Sequence, residues 1–135
     1  MRSLSAISLL AAILAPAAAV AGPNCTALTV RSSPTQQRAD ATLVTQVAHQ
    51  RVGPAQVGRV LTMGPWRFVW ATPTNAERGV FLFHKEAKRG YHLVDIWGGV
   101  IMPEERADTI DWARRLKGSP PRPLAECFAD ALTKD

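Results

Sequence analysis

The sequence predicts a single α+β domain that follows a short leader. Apolar residues recur with helical spacing before residue 52 and after residue 102, whereas residues 66–97 are rich in aromatic and β-branched types. The turns within 66–97 are too short for crossover helices, so the strands there must be antiparallel. We therefore expect an N-terminal helix, a three- to four-stranded antiparallel meander, and two C-terminal helices packed on one sheet face.

The leader has the three-part layout of a secretory signal peptide. Arg2 gives it a positive start, residues 7–14 form a largely apolar run, and Pro16 ends that run before a series of alanines. A membrane anchor needs about 20 apolar residues, roughly twice the length of this run. The sequence thus predicts removal of residues 1–21, a mature domain of residues 22–135 with no transmembrane segment, and export to the periplasm or medium of a bacterium.

The mature chain has two cysteines, Cys25 near its start and Cys127 near its end. Oxidising compartments convert such pairs to disulfides, so we expect a Cys25–Cys127 bond that joins the two ends of the chain. In the chain-entropy account, a loop of this size contributes roughly 4–5 kcal/mol to stability. The alternative, a catalytic or metal-binding thiol, lacks a second cysteine or a histidine close in sequence.

The charge balance of the chain is modestly basic. The full sequence carries a formal charge of +5, and because Arg2 is the only charged residue of the leader, the mature domain carries +4. Its lysines and arginines are scattered along the sequence, which indicates a solvated surface and not a nucleic-acid footprint. We predict no nucleic-acid partner and only weak attraction to anionic surfaces such as lipid head groups.

The first helix is expected to begin at Ser33, which precedes proline at the first helical position and glutamine at the third. A Gly-Pro pair at 53–54 ends it near Arg51. The residues that form its apolar face are Ala39, Leu43 and Val47, with Val44 and Ala48 beside them. Residues 55–63 fit both a short helix and a strand, because the spacing of their valines suits either period.

The remaining elements are expected in the order strand, strand, strand, helix, helix. The strands are placed at 66–70, 80–84 and 91–97. The helix that starts at 103–105 has acidic residues at its positive end, and its inner stripe is Ala107, Ile110, Ala113 and Leu116. Trp112 is expected either on the rim of the core or in contact with a partner. The last helix is predicted to bury Leu124, Cys127, Phe128, Ala131 and Leu132.

The strand pattern also predicts which side chains share a face of the sheet. The register between the strands at 80–84 and 91–97 follows if the hairpin turn pairs Glu86 with Tyr91. One face then forms the core under the helices, and its side chains are Phe68, Trp70, Phe81, Phe83, Val94 and Ile96. The reverse face holds both apolar and charged side chains, which is unusual for a plain solvent face.

The reverse face supplies the candidate site. We expect Arg67, His84 and Asp95 to line a shallow pocket walled by Trp97, where a ligand or partner could bind. The alternative is purely structural, an ion pair and a hydrogen-bonded histidine under a loop. Whether this face is open or covered is not decided by the sequence.

The functional hypothesis follows from these features and from the motifs that are missing. No G-x-S-x-G, phosphate-binding glycine pattern or H-E-x-x-H occurs, so we expect no catalytic residue, metal or cofactor. The leading hypothesis is a non-enzymatic binding module of the cell envelope, whose partner is an envelope protein or an anionic ligand. Two alternatives stay open: a small enzyme with His84 as base, Asp95 as its orienter and Arg67 on an anionic substrate, or a homodimer formed through the reverse face.

Overall fold

A computed structural model describes residues 13–15 and 22–134 of the chain. The predicted signal peptide lies almost wholly outside the described residues. The elements are α1 (Cys25–Leu28), α2 (Pro34–Ala48), β1 (Val57–Met63), β2 (Trp66–Ala71), β3 (Gly79–Glu86), β4 (Gly90–Gly98), α3 (Arg106–Arg114) and α4 (Arg122–Lys134), with 3-10 turns at Pro54–Gln56 and Pro103–Glu105. Within these described ranges, no helix has the length and apolar character needed to cross a bilayer.

The four strands form one antiparallel sheet in the order β1-β2-β3-β4. The predicted α+β class and the meander are confirmed, and the ambiguous segment 55–63 is a short turn followed by strand β1. At one edge, β1 is partly covered because the N–H of Val30 donates to the carbonyl of Val60 at 2.9 Å. The other edge of the sheet is β4.

Helices cover both faces of the sheet. As predicted, α3 and α4 share one face, where they pack on Phe68, Trp70 and Leu82. The opposite face packs against α2 through Val69, Phe81 and Phe83. The domain therefore has three layers, with the sheet between α2 on one side and α3 and α4 on the other.

Helix α2 begins as the sequence predicts and packs most of its predicted apolar face on the core, but it ends earlier. The Ser33 side chain accepts a hydrogen bond from the N–H of Gln36, which satisfies one of the unpaired amides of the first turn. The helix ends at Ala48 and not near Arg51, because His49 adopts the left-handed conformation with φ 53°. The fully buried residues are Asp40, Ala41 and Val44, whereas Ala39 is exposed.

The predicted pairing of β2 with β3 is wrong by one residue. Phe68 lies opposite Leu82 and Trp70 opposite Val80, so neither shares a face with Phe81. Because side chains alternate along a strand, a shift of one residue moves the whole of β2 to the other face. The connection at 72–78 is too long to fix the register as a two-residue hairpin turn would.

The β3–β4 hairpin follows the predicted register at only one end. Phe81 lies opposite Ile96 as expected, but Phe83 lies opposite Leu93 and not Val94. Val94 is an extra residue in β4, a β-bulge that shifts the pairing between Leu82 and Phe83. The turn accordingly pairs Glu86 with Gly90.

The two ends of the chain are joined by the predicted disulfide. Cys25 of α1 is bonded to Cys127 of α4, with their Cα atoms 5.4 Å apart. The predicted inner residues of α4 are all buried. On α3, Ile110 and Ala113 are buried as expected, but Thr109 is buried where Ala107 was predicted, and its hydroxyl donates to the carbonyl of Glu105.

Candidate functional site

Arg67 is a structural residue of the α2 face. Its guanidinium donates two hydrogen bonds of 2.7 Å to the carboxylate of Asp40, and the two residues are 7% and 0% exposed. Burial by itself lowers the pKa of Arg67, but the hydrogen bonds and the charge of Asp40 outweigh burial and raise that pKa above its usual value. Arg67 therefore stays charged, and its two hydrogen bonds to Asp40 fix α2 on the sheet.

His84 lies on the opposite face from Arg67. Its ring packs edge-on against Trp66, with centroids 4.7 Å apart, and faces His92 across the strand pair at 5.6 Å. In the described part of the chain, no hydrogen bond or ion pair joins His84 to Asp95. Asp95 is opposite Leu82, two residues along β3 from His84, where diagonal neighbours are about 7–8 Å apart. The predicted acid–base pair is therefore not assembled.

Asp95 is exposed on the edge strand β4. Its carboxylate accepts a hydrogen bond of 2.7 Å from the backbone N–H of the next residue, Ile96. This amide of the edge strand is thus already satisfied by a charged side chain. Charged groups and bulges are common devices that discourage another strand from adding to a sheet edge.

Among the predicted site residues, Trp97 lines the two cavities described below. Its ring packs edge-on against Trp112 at 4.8 Å and Phe128 at 6.0 Å, so Trp112 is a rim-of-core residue as one of the two expectations held. The four predicted residues therefore do not form one pocket. Arg67 belongs to the α2 interface, and the other three are spread along β3 and β4.

The open surface next to Trp97 is an apolar groove on the α2 side of the sheet, which we call the trough. It has a volume of about 450 Å³. Its apolar walls come from the end of α2, the β2–β3 loop, β3 and β4, and they are Ala48, Pro73, Ala76, Phe81 and Ile96. Its volume is in the range of small-molecule sites, which are typically apolar with a few polar groups at the rim.

A second cavity adjoins the trough on the other side of Gly79 and Gly99, and we call it the tryptophan cavity. It has a volume of about 190 Å³ and lies between Trp70 and Trp97, which stand on either side of Val80 across three strands. The trough and the tryptophan cavity share Arg78 and Trp97 as lining residues. The two spaces lie on opposite faces of the sheet and meet at its Gly79 end, and we treat them together as the candidate site.

Glycine residues line the place where the trough and the tryptophan cavity meet. A Cβ on Gly79 would lie 3.4 Å from the carbonyl oxygen of Trp97 and 3.5 Å from Cγ2 of Ile96, which is ordinary van der Waals contact. Gly99 has φ +83°, a conformation that favours glycine. The Gly98-Gly99 pair, predicted only as the end of a strand, therefore shapes the candidate site.

The polar groups of the site favour hydrogen-bond acceptors and negative charge. The indole Nε1 atoms of Trp70 and Trp97 are buried and have no hydrogen-bond partner. A buried donor without an acceptor costs about 1–3 kcal/mol, so such groups tend to acquire a partner. Arg78 lines both cavities, and the guanidinium carbon of Arg59 lies 5.8 Å from the centre of the Trp70 ring. Glu77 also lines both cavities, so their lining carries one carboxylate beside the guanidinium of Arg78.

Sequence reasoning found Trp97 but missed Trp70, Arg78, Ile96 and Val100. Ile96 and Val100 are 44% and 55% exposed, and with Met102 they are the exposed large apolar residues in the described stretch 22–134. The signal in the sequence is the run of five apolar residues within 96–102, around two glycines. The sequence predicts these residues in the core or in a connection, because it does not show which strand face the helices leave uncovered.

The described residues also contain no group of three or more histidine, cysteine, aspartate or glutamate side chains placed to hold a metal ion. No protein-family model matches the chain, and no curated protein or solved structure is significantly similar to it. The function must therefore be argued from the site itself.

Proposed function

We propose that this protein is an exported, non-enzymatic binding module of the bacterial cell envelope, and that it binds a ligand with an apolar body and an anionic group at the trough. The observation that carries the proposal is the position of the exposed apolar residues. Ile96 lines the trough and Val100 lines the tryptophan cavity. Large apolar side chains that remain exposed around a concave surface are typical of binding sites.

The polarity of the site supports the anionic part of the ligand. Arg78 provides positive charge at the junction of the two cavities, and Arg59 adds to it next to Trp70. The unpartnered indole N–H groups of Trp70 and Trp97 are donors, and a carboxylate is an acceptor with no donor of its own. A ligand whose apolar part lies in the trough would bring its carboxylate towards Arg78.

The proposed location rests on the leader and on the disulfide. The leader has the layout of a secretion signal, and the Cys25–Cys127 bond is of a kind that persists in oxidising compartments. Both features agree with a protein that works outside the cytoplasm. An apolar, anionic ligand in that setting would be a fatty acid or the apolar C-terminus of an envelope protein.

The test uses decanoate and decanol as probes of the oxidised protein purified after export with its own leader. Trp70 and Trp97 border the site, so binding should change tryptophan emission in a saturable way. Decanoate should bind at least about tenfold more tightly than decanol, because the uncharged alcohol lacks the attraction to Arg78. The Ile96→Glu variant should bind decanoate at least about tenfold more weakly, since it places a like charge in the trough.

Met102→Glu is the matched control. Met102 is 58% exposed and lines neither cavity, so the same substitution there should leave decanoate affinity within about twofold. Arg78→Ala should weaken decanoate and leave decanol unchanged. Equal effects of the Ile96 and Met102 substitutions, or an emission change that never saturates, would remove the trough from consideration. If the protein without ligand elutes from a size-exclusion column with a mass above that of the monomer, the trough would be assigned to self-association.

A further inference from the structure

Six of the lysines and arginines, from two separate segments of the sequence, are brought by the fold to one end of the molecule. We call this surface the basic end, and it consists of Lys85, Lys88, Arg89, Arg114, Arg115 and Lys117. Three of these residues belong to the β3–β4 hairpin and three to the end of α3 and the residues after it. All six are exposed. The basic end lies at the opposite end of the sheet from the trough.

The contact that brings the two groups together is between Gly118 and His84. A Cβ on Gly118 would lie 3.5 Å from the His84 ring and 3.1 Å from the ring of Trp66. Lys117 directly precedes Gly118, and Lys85 directly follows His84. The tight approach, which Gly118 permits with φ +93°, therefore sets the end of α3 beside the hairpin.

The cations of the basic end are not neutralised within the protein. Elsewhere Arg67, Arg106 and Arg122 form ion pairs with Asp40, Asp130 and Glu126. Across residues 22–134, by contrast, no carboxylate forms an ion pair with any of the six cations of the basic end. Glu86, the acidic residue of the hairpin, lies 3.7 Å from His92. Lys85 is held over the Tyr91 ring at 5.6 Å, which leaves its charge in place.

We infer that the basic end is a second binding surface, which associates electrostatically with the anionic phospholipid surface of a membrane. A small anion requires donors that converge on one point, but these six side chains project from a hairpin turn and a helix end, and none lines the trough or the tryptophan cavity. An extended sheet of negative charge can contact all of them at once. The trough then faces away from the membrane, accessible to ligand.

The test measures binding of the oxidised, exported protein to phosphatidylcholine vesicles with and without phosphatidylglycerol, by co-sedimentation. Wild type should sediment with phosphatidylglycerol vesicles, less so as salt rises, and should remain in solution with phosphatidylcholine alone. The triple variant Lys88→Ala, Arg89→Ala, Lys117→Ala should partition about 100-fold less strongly, at the usual contribution of each cation near an anionic surface.

The matched control removes the same number of charges elsewhere, through Arg51→Ala, Arg106→Ala and Lys134→Ala. This variant has the same net charge as the first, so its partitioning should stay within about threefold of wild type if position matters and not total charge. Equal losses in the two variants would overturn the inference. Binding to a DNA duplex but not to vesicles would overturn the lipid assignment as well. Decanoate binding should be unchanged in both variants, which separates this test from that of the trough.

Discussion

The two faces of the sheet hold their helices by different means. Under α2, the buried ion pair of Asp40 and Arg67 lies among aliphatic side chains and Phe81 and Phe83. Under α3 and α4, the contact is made by rings, with Phe128 at the centre of Phe68, Trp70, Trp97 and Trp112. An ion pair depends on two groups meeting at fixed geometry, whereas ring packing is spread over many weak contacts. A single substitution in the ion pair should therefore destabilise the domain strongly, whereas a single substitution among the rings should destabilise it less.

The difference also explains where the candidate site lies. α2 reaches no further than Ala48, so the β3–β4 side of its face stays uncovered and becomes the trough. The aromatic face is covered by two helices, and its remaining space is the smaller tryptophan cavity. The candidate site thus lies where α2 stops covering one face of the sheet and where the rings under α3 and α4 leave a cavity on the other.

The largest effect is expected from the conservative substitution Asp40→Asn. It preserves the shape of the side chain but leaves the charge of Arg67 buried without a counter-charge, so the free energy of unfolding should fall by about 3–5 kcal/mol. Urea unfolding of the oxidised protein measures this. The double variant Asp40→Leu, Arg67→Met should recover most of the loss, because no charge then remains buried. A loss below about 1 kcal/mol in the single variant would show that the pair does not anchor α2.

A smaller effect is expected from the equally conservative Phe128→Leu. This residue is fully buried among four rings, but its contacts are individually weak, and leucine can fill much of the same volume. The free energy of unfolding should fall by about 1–1.5 kcal/mol in the same urea experiment. If Phe128→Leu proved as damaging as Asp40→Asn, the contrast between the two faces would be lost.

The smallest effect on stability is expected from a substitution on the edge strand β4. Asp95→Ala removes the acceptor for the N–H of Ile96, but the site is exposed, so the free energy of unfolding should change by no more than about 0.5 kcal/mol. The effect should instead appear as concentration-dependent dimers in sedimentation velocity, because the unprotected edge can pair with a second β4. Asp95→Asn, which keeps an acceptor, is the control and should remain monomeric under the same conditions.

The predictions from sequence succeeded where local chemistry sufficed. The cap at Ser33, the apolar stripe of α4, the strand positions and the disulfide each depend on residues whose spacing is visible in the chain. The candidate site could not be predicted from local chemistry, because it depends on the registers of the β2–β3 and β3–β4 pairs. The long β2–β3 connection allows a pairing that differs by one residue from the predicted one, and with period-two alternation that difference puts Arg67 and His84 on opposite faces. The bulge at Val94 separately shifts the turn end of the β3–β4 pairing.

The sequence by itself determined the class of the fold, the pairing of the cysteines and the order of α2, β2, β3, β4, α3 and α4. Periodicity, capping and composition are local properties that act within a few residues. Only the tertiary structure decided that Arg67 pairs with Asp40, that Trp70 and Trp97 border one cavity, and that two distant groups of cations share one end. Each of these depends on strand register and on which face a helix covers, and those are set by the packing of the whole core.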